Sequence, residues 1–492
     1  MLCVSIQGPS LQEARRQIEQ ALGYARIIEL RLDLFQDRSP ERLKELLRPF
    51  TIPMIFTLRS KKQGGGYEGN EASHLLEIEK LLACQPAYFD LESDTKKSFL
   101  LHMQANYPAV QMIISLHTFE SHLKPLKAYL DSMPMLERAW YKIAVSSTST
   151  LQTLQFLNEG KRNKKLILVS MGENGQISRI LSPILGSGIT YSCLDENTPL
   201  APGQLAAKTL QDVYRYSRLH SKTHIYGLIG DPVSQSIGHL THNHVMSQFN
   251  LDAVYVKMRL AAEELSEALG LMSQLEFKGL SVTMPLKEKI LNYLDDVDEE
   301  AQKIGAVNTV LFEEGKAKGF NTDGAGAIDS LEVVSKVAGK KVLVLGAGGA
   351  ARAIAYEAIK RGARVTLLNR DQTRVQTLAK SLCCEGDKLE KVHVHIKNGY
   401  DILINTIPKV PQEVQASFIE GSLVMDIISF PMETEFLQAA RQSGCTIIPG
   451  YQMFIRQAMR QFQLWFPHYA WHEEHLNVWA TKAENILGFG SI

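Results

Sequence analysis

Lys-Val-Leu-Val-Leu-Gly-Ala-Gly-Gly-Ala-Ala-Arg, residues 341–352, decides the architecture of half the chain. The run Lys341 to Leu345 reads as a short buried strand, and the glycines that follow predict a tight turn running straight into a helix. The spacing Gly346-x-Gly348-x-x-Ala351 is a variant of the dinucleotide fingerprint, in which small residues let a pyrophosphate approach a helix N-terminus. Gly346, Gly348, Gly349, Ala350 and Ala351 are therefore the expected cofactor-contacting backbone. About twenty residues on, where NAD-binding proteins carry an acid for the ribose hydroxyls, the next strand ends in Asn369-Arg370, with Arg374 one turn later. Two cations there favour a 2′-phosphate, hence NADP(H), over the alternative of solvated surface arginines; Asp371 between them weakens that preference.

Working outward, a domain boundary falls near Gly339, giving a nucleotide-binding domain over 339–450. An αβ series from Ile225 predicts a second domain over 225–338. Beyond Pro449-Gly450 the chain becomes helical and aromatic-rich, and residues 451–492 need not belong to the domain immediately before them. Residues 216–224, polar and without periodicity, read as a linker. Residues 1–215 alternate short β-branched or aromatic runs with helix-prone stretches such as Ser10–Leu22 and Glu71–Cys84. Eight such runs begin at Cys3, Arg26, Pro53, Ala87, Val110, Trp140, Leu166 and Ile189, which suits a compact (β/α)8 TIM barrel. The fold class is α/β throughout.

Lys plus Arg and Asp plus Glu are equal at 53 each, so no global field draws the protein to nucleic acid or an anionic membrane. The cysteines lack metal-ligand spacing and scaffold density, so they read as structural thiols in a reducing compartment; no metal is expected. No apolar run approaches membrane-spanning length, and the first residues resemble neither signal nor transit peptide, so a cytoplasmic location is expected. Partners are expected to be small molecules, with oligomeric state open.

In a barrel, catalytic groups come from the carboxyl ends of the strands. Glu29, Arg31 and Asp33 alternate along the second run, Arg59 closes the third, Asp90 and Glu92 the fourth, His117 the fifth, and Lys142 lies in the sixth. So many charges in a barrel interior are costly unless they serve a site or a register-fixing ion-pair network. Lys142, His117 and Glu92 together offer an amine nucleophile, a proton shuttle and a group to orient it.

This half resembles the type I 3-dehydroquinate dehydratases in Glu-Leu-Arg-Leu-Asp (29–33), Phe-Thr-Leu-Arg-Ser (56–60), Phe-Asp-Leu-Glu (89–92), Ser-Leu-His (115–117), Lys-Ile-Ala-Val (142–145), Ser-Met-Gly-x-x-Gly-x-x-Ser-Arg (170–179) and Ala-Pro-Gly-Gln (201–204). The resemblance implies that Lys142 forms a Schiff base with the C3 ketone of 3-dehydroquinate, while His117, held by Glu92, removes the C2 proton and protonates the departing C1 hydroxyl. Arg179 is expected to grip the substrate carboxylate, with Glu29, Arg31, Arg59 and Gln204 around the hydroxyls. An amine beside cationic groups is expected to lose its proton readily. Leu200 stands where the family usually has serine, which predicts weaker substrate binding.

The second half resembles the shikimate dehydrogenases in Gly-Asp-Pro-Val-x-Gln-Ser (230–236), His-Asn (242–243), Val-Thr-x-Pro-x-Lys (282–287), Gly-Ala-Val-Asn-Thr (305–309), Gly-x-Asn-Thr-Asp-Gly (319–324) and Pro-Gly-Tyr-x-Met-x-x-x-Gln (449–457). It implies a catalytic pair of Lys287 and Asp323, with Lys287 protonating the C3 oxygen of 3-dehydroshikimate as hydride arrives from NADPH. Ser236, Thr283, Asn308 and Gln457 are expected to hold the substrate. Gly238 replaces a second serine, Ser281 an asparagine and Ser429 a tyrosine. The space opened at Gly238 raises a quinate-directed reductase as one alternative; a non-catalytic, ligand-binding barrel is another. The leading expectation is a bifunctional enzyme taking 3-dehydroquinate through 3-dehydroshikimate to shikimate.

Overall fold

A computed structural model describes residues 1–120, 123–411, 414 and 418–488. The chain divides into two compact units, one of Met1–His224 with Asp252–Leu260 and Gly270–Leu275, the other of Ile225–Leu251, Ala261–Leu269 and the residues from Glu276 onward.

The first unit is built on eight strands: β1 (Leu2–Ile6), β2 (Ile27–Arg31), β3 (Met54–Thr57), β4 (Tyr88–Glu92), β5 (Gln111–Thr118), β6 (Ala139–Ser146), β7 (Leu166–Met171) and β8 (Thr190–Ser192). They form an eight-stranded parallel near-barrel of order β7-β6-β5-β4-β3-β2-β1-β8. Helices between them start on local signals. Ser10 accepts from Glu13 N ahead of Leu11–Ala21, and Asn70 accepts from Ser73 N ahead of Glu71–Leu82. Cys3, Ile27, Ile55, Ile113, Ala144 and Ile167 pack in one interior cluster, as parallel strands buried on both faces require. Asp33 lies just past β2, in a 3-10 turn over Leu32–Leu34, and not on the strand as the alternation suggests. Tyr216, in the segment read as a linker, is buried with its hydroxyl 2.9 Å from Ser182 Oγ, so the start of that segment packs with the first unit.

The chain continues through β9 (His224–Gly230), β10 (Ala253–Arg259), β11 (Phe277–Val282), β12 (Asp296–Val297), β13 (Thr309–Glu313) and β14 (Lys316–Phe320). In the second unit β9 and β11 are parallel, β11-β13-β14 antiparallel, and β14-β12 parallel. The last six strands, β15 (Lys341–Leu345), β16 (Arg364–Asn369), β17 (Glu385–Lys388), β18 (Ile402–Asn405), β19 (Leu423–Asp426) and β20 (Thr446–Ile448), make an all-parallel sheet of order β17-β16-β15-β18-β19-β20. This is the Rossmann order, with its switch point between β15 and β18. Apolar clusters cover both sheet faces, one around Val342, Val344 and Ile354, the other around Leu343, Leu345 and Leu437.

Three helices meet beside that switch point. Gly324 on Asp323–Glu332 lies so near Gly349–Lys360 that an added Cβ would sit 2.2 Å from Ala353 O, and one at Gly326 would sit 2.7 Å from Gln457 N on Gly450–Trp465. Small residues thus bring the Asp323–Glu332 helix close against both Gly349–Lys360 and Gly450–Trp465. The helix Gly450–Trp465 also docks on the β11–β13 pair, where Gln461 donates to Asn308 O and Thr309 Oγ1, and Trp465 Nε1 to Val310 O. Among the described residues no helix is long and apolar enough to cross a membrane.

Candidate active sites

At the carboxyl ends of the barrel strands, inward side chains line a cavity of about 200 Å³ that includes Glu29, Arg31, Arg59, His117, Lys142, Arg179, Leu200 and Gln204. Strand alternation places these groups there, since Glu29 and Arg31 share one face of β2, and Asp90 and Glu92 one face of β4. Lys142 Nζ is buried, lies 3.2 Å from Asp90 Oδ2, and sits 3.9 Å from the centroid of the Tyr191 ring. Its direct charged partner is therefore an anion, where the sequence suggested cations. Asp90 is the hub of this layer, accepting also from Arg59 Nη2 at 2.6 Å and from Ser115 Oγ. Burial works to raise the Asp90 carboxyl, but Arg59, Lys142 and the Ser115 hydrogen bond together hold it below the usual carboxylate range.

Glu29 accepts from Ser5 and Thr57 on the neighbouring strands. Arg31 forks onto Asp33 at 2.9 and 2.7 Å, and Asp33 is further fixed by Gly66 N. Gln204 Oε1 accepts from Leu200 N at 2.9 Å, which orders the turn that carries Leu200 into the cavity wall. Arg179 is 3% exposed; Nη1 donates to Tyr191 O at 3.0 Å, while Nε and Nη2 have no partner. Burial pulls this guanidinium down to about 10, so it remains a cation at neutral pH.

His117 differs from expectation in its company. Its Nδ1 lies 3.3 Å from Gln63 Oε1, and the same oxygen accepts from His117 N at 3.2 Å. Glu92 instead accepts from Ser60 N at 2.8 Å and faces Arg59 Nη1 at 3.7 Å. The reason is geometric: the 3-10 turn Lys61–Gln63 crosses over β5 and brings an amide to the imidazole, and Glu92 is captured by the backbone and arginine beside it. Burial, then the positive charges of Arg59, Lys142 and Arg31, push His117 well below its ordinary value, so it is a neutral base. Gln63 and Tyr191 were not named from the sequence, and Asp90 was named there only among the strand-end charges, without a role of its own. Asp90 shares the parity of Glu92 and was findable by alternation, whereas nothing local marks Gln63.

In the second unit, Lys287 Nζ lies 2.5 Å from Asp323 Oδ2. Asn308 Nδ2 is within hydrogen-bond reach of Asp323 Oδ1 (2.8 Å), Thr322 Oγ1 (2.9 Å) and Gln457 Oε1 (3.2 Å). Lys287, Asp323, Asn308 and Gln457 thus form one connected set. Ser236 and Thr283 sit just beyond the carboxyl ends of β9 and β11, half-buried and outside that set; Ser236 Oγ accepts from Gly238 N. Ser281 donates to Gln461 Oε1 at 2.8 Å, a structural role inside the protein. His242 is likewise a core residue, packed on Phe462 at 5.4 Å between centroids, with burial taking it to about 3.

The glycine turn abuts this cluster, since a Cβ at Gly349 would lie 3.1 Å from Lys287 Cβ. Gly346 has φ +126°, and a Cβ there would meet Thr406 Oγ1 at 2.2 Å, so only glycine serves. Gly348 caps the helix Gly349–Lys360 with no side-chain hydrogen bond, and a Cβ there would meet nothing within 4 Å; Ala350 is half-buried and Ala351 buried. Asn369 Nδ2 points to Asp371 O at 3.4 Å, and Arg370 is exposed. Asp371 is the N-cap of Gln372–Leu382, accepting from Arg374 N at 2.9 Å. Arg374 Nε donates to Ala347 O at 3.0 Å, and its Nη2 pairs with Glu288.

Residues 2–221 match the model of the type I 3-dehydroquinase family, residues 228–310 that of the shikimate dehydrogenase substrate-binding domain, and residues 330–421 that of shikimate/quinate 5-dehydrogenase. The shikimate biosynthesis protein AroDE of Chlamydia pneumoniae is 35% identical over 471 residues, spanning 95% of this chain and 96% of that protein. A bifunctional 3-dehydroquinate dehydratase/shikimate dehydrogenase of Arabidopsis thaliana, described as chloroplastic, is 31% identical over 94% of this chain and 81% of its own length. A crystal structure of a shikimate dehydrogenase in complex with NADP+ superposes with a TM-score of 0.50 at 33% identity, covering 54% of this chain and 97% of that one.

Proposed function

The chain belongs to the family of bifunctional 3-dehydroquinate dehydratase/shikimate dehydrogenases, and we propose that the two side-chain clusters just described each carry one of its reactions. It is a lyase and an oxidoreductase of the shikimate pathway, dehydrating 3-dehydroquinate to 3-dehydroshikimate and reducing that to shikimate with NADPH. A quinate-directed reductase and a non-catalytic barrel are disfavoured, because both halves match enzyme families and relatives spanning nearly the whole chain are named for shikimate biosynthesis or for both activities.

In the barrel, Lys142 Nζ in its unprotonated form attacks the C3 ketone, and loss of water from the carbinolamine leaves an imine that withdraws electrons from C2. The neutral His117 takes the C2 proton, a role a positioned base performs for about 10² to 10⁴ in rate. The same imidazolium then protonates the C1 hydroxyl, which leaves as water, and hydrolysis of the imine releases product. Gln63 holds His117 in place of Glu92, and Tyr191 lies face-on to the nitrogen, where a ring quadrupole favours a cationic imine. The observation that carries the reading is the pair of unpartnered Arg179 nitrogens. Leaving buried donors unpaired costs about 1 to 3 kcal/mol each, a cost a substrate carboxylate relieves. Glu29, Arg31, Arg59 and Gln204 complete the shell.

In the reductase, Asp323 aims the Lys287 ammonium, and Asn308 fixes Asp323. The open helix N-terminus at Gly348 to Ala351 fits a pyrophosphate, and Asn369, Arg370 and Arg374 fit a 2′-phosphate. NADPH, when bound, supplies hydride; Lys287 supplies the proton that neutralises the nascent alkoxide on C3. Ser236, Thr283 and Gln457 hold the substrate hydroxyls and carboxylate. The domains are assigned as 1–215, 225–338 and 339–450, with 216–224 between the first two and 451–492 completing the second. A cytoplasmic location accords with six unpaired cysteines.

Pure protein given 3-dehydroquinate and NADPH is expected to yield shikimate, and borohydride with 3-dehydroquinate to label Lys142. Shikimate formation without a Lys142 adduct would remove the imine mechanism while leaving the function.

A further inference from the structure

Arg374, read above as a ligand of the 2′-phosphate, is already engaged by an anion of the chain itself. Glu288 follows Lys287 directly, on the short helix Leu286–Lys289 of the substrate-binding side. One of its carboxylate oxygens pairs with Arg374 Nη2, and the other lies 3.7 Å from Arg352 Nε on the helix of the glycine turn. On the same edge of the guanidinium, Arg374 Nε donates to the Ala347 carbonyl, inside that same turn, at 3.0 Å. The guanidinium therefore cannot swing freely toward an incoming phosphate while it keeps both contacts.

We propose that Glu288 is an antagonist of the 2′-phosphate and so a determinant of nucleotide preference. This rests on the reading that Arg374 binds that phosphate. Glu288 neutralises Arg374; a 2′-phosphate arriving there must either displace the carboxylate or share one guanidinium with it, and two anions at that range repel. NAD+, which brings no phosphate to this position, leaves the pair intact and loses nothing. Glu288 thus narrows the margin by which NADP+ outbinds NAD+, and it does so from the residue next to the proton donor.

The pair is partly exposed, with side-chain accessibility of 44% for Arg374 and 36% for Glu288, so the effect belongs to the scale of surface ion pairs. Glu288→Gln keeps the shape and removes the charge. Calorimetric titration of the full chain is expected to show NADP+ and adenosine 2′-monophosphate binding about two- to five-fold more tightly to Glu288→Gln, with NAD+ unchanged. The gain is expected to vanish when Arg374→Gln is added. Unchanged or weaker NADP+ binding by Glu288→Gln, or an equal gain for NAD+, overturns the proposal. Arg374→Gln alone separates the two levels: if it weakens NADP+ but not NAD+ while Glu288→Gln does nothing, only the antagonism fails. If Arg374→Gln leaves NADP+ affinity intact, the phosphate assignment fails and takes the antagonism with it.

Discussion

Replacing Asp90 with asparagine is expected to cost the barrel more stability than any single change at its surface. The Asp90 side chain is fully buried and is shared by Arg59 at 2.6 Å and Lys142 at 3.2 Å, which are themselves only 4% and 7% exposed. Asparagine preserves the shape and can keep Ser115, but it takes the carboxylate from buried Lys142 and leaves Arg59 facing only the Glu92 carboxylate, at 3.7 Å. Removing one partner of a buried pair costs about 3 to 5 kcal/mol. At about 1.4 kcal/mol per tenfold, amides of β3 to β6 that exchange through barrel opening should do so about a hundred- to a few-thousand-fold faster, measured by hydrogen-exchange mass spectrometry. The pH dependence has a definite sign. Because the folded carboxyl titrates below its unfolded value of about 3.9, its contribution is complete above that pH and is lost as pH falls through the folded value. The gap between Asp90→Asn and the parent measured at pH 7 should therefore persist at pH 5 and close only in stronger acid. Exchange in β3 to β6 accelerated less than threefold, or equal acceleration in β15 and β18, would refute the claim that this carboxylate is the charge hub of the barrel.

Dehydratase kcat/KM should show no acid limb at pH 6.5, since burial and three cations hold His117 well below that value; a limb centred there in a pH–rate profile would mean the imidazole is solvated. Lys287→Met should lower reductase kcat by about 10² to 10⁴ while NADP+ affinity by titration stays within about threefold. A kcat loss under tenfold would remove Lys287 as proton donor. Gly346→Ala forces a Cβ into Thr406 at a positive φ, so NADP+ binding and reductase activity should collapse while the dehydratase reaction persists; intact NADP+ affinity would show that the turn adapts.

The strand runs and the chemistry were legible where the signal is local. The alternation of Glu29 with Arg31, and the glycine turn after Leu345, are properties of a few adjacent residues, because pleat and turn geometry repeat over two to four residues. Hence the barrel runs, the Rossmann turn and both lysines could be read without coordinates. Which groups meet across strands was another matter. That Gln63 and not Glu92 reaches His117 depends on where a 3-10 turn crosses β5, and that Asp90 joins Arg59 to Lys142 depends on strand register.

The amino-acid order by itself determined that lysine, imidazole and arginines would stand at the carboxyl ends of one set of strands and that a dinucleotide turn would open another. Only the folded molecule decided their partners: Asp90 under Lys142, Gln63 at His117, Glu288 on Arg374. Backbone periodicity is set by neighbours in the chain, whereas a salt bridge or hydrogen bond is won by whichever side chain the packing of distant segments brings within about 3 Å.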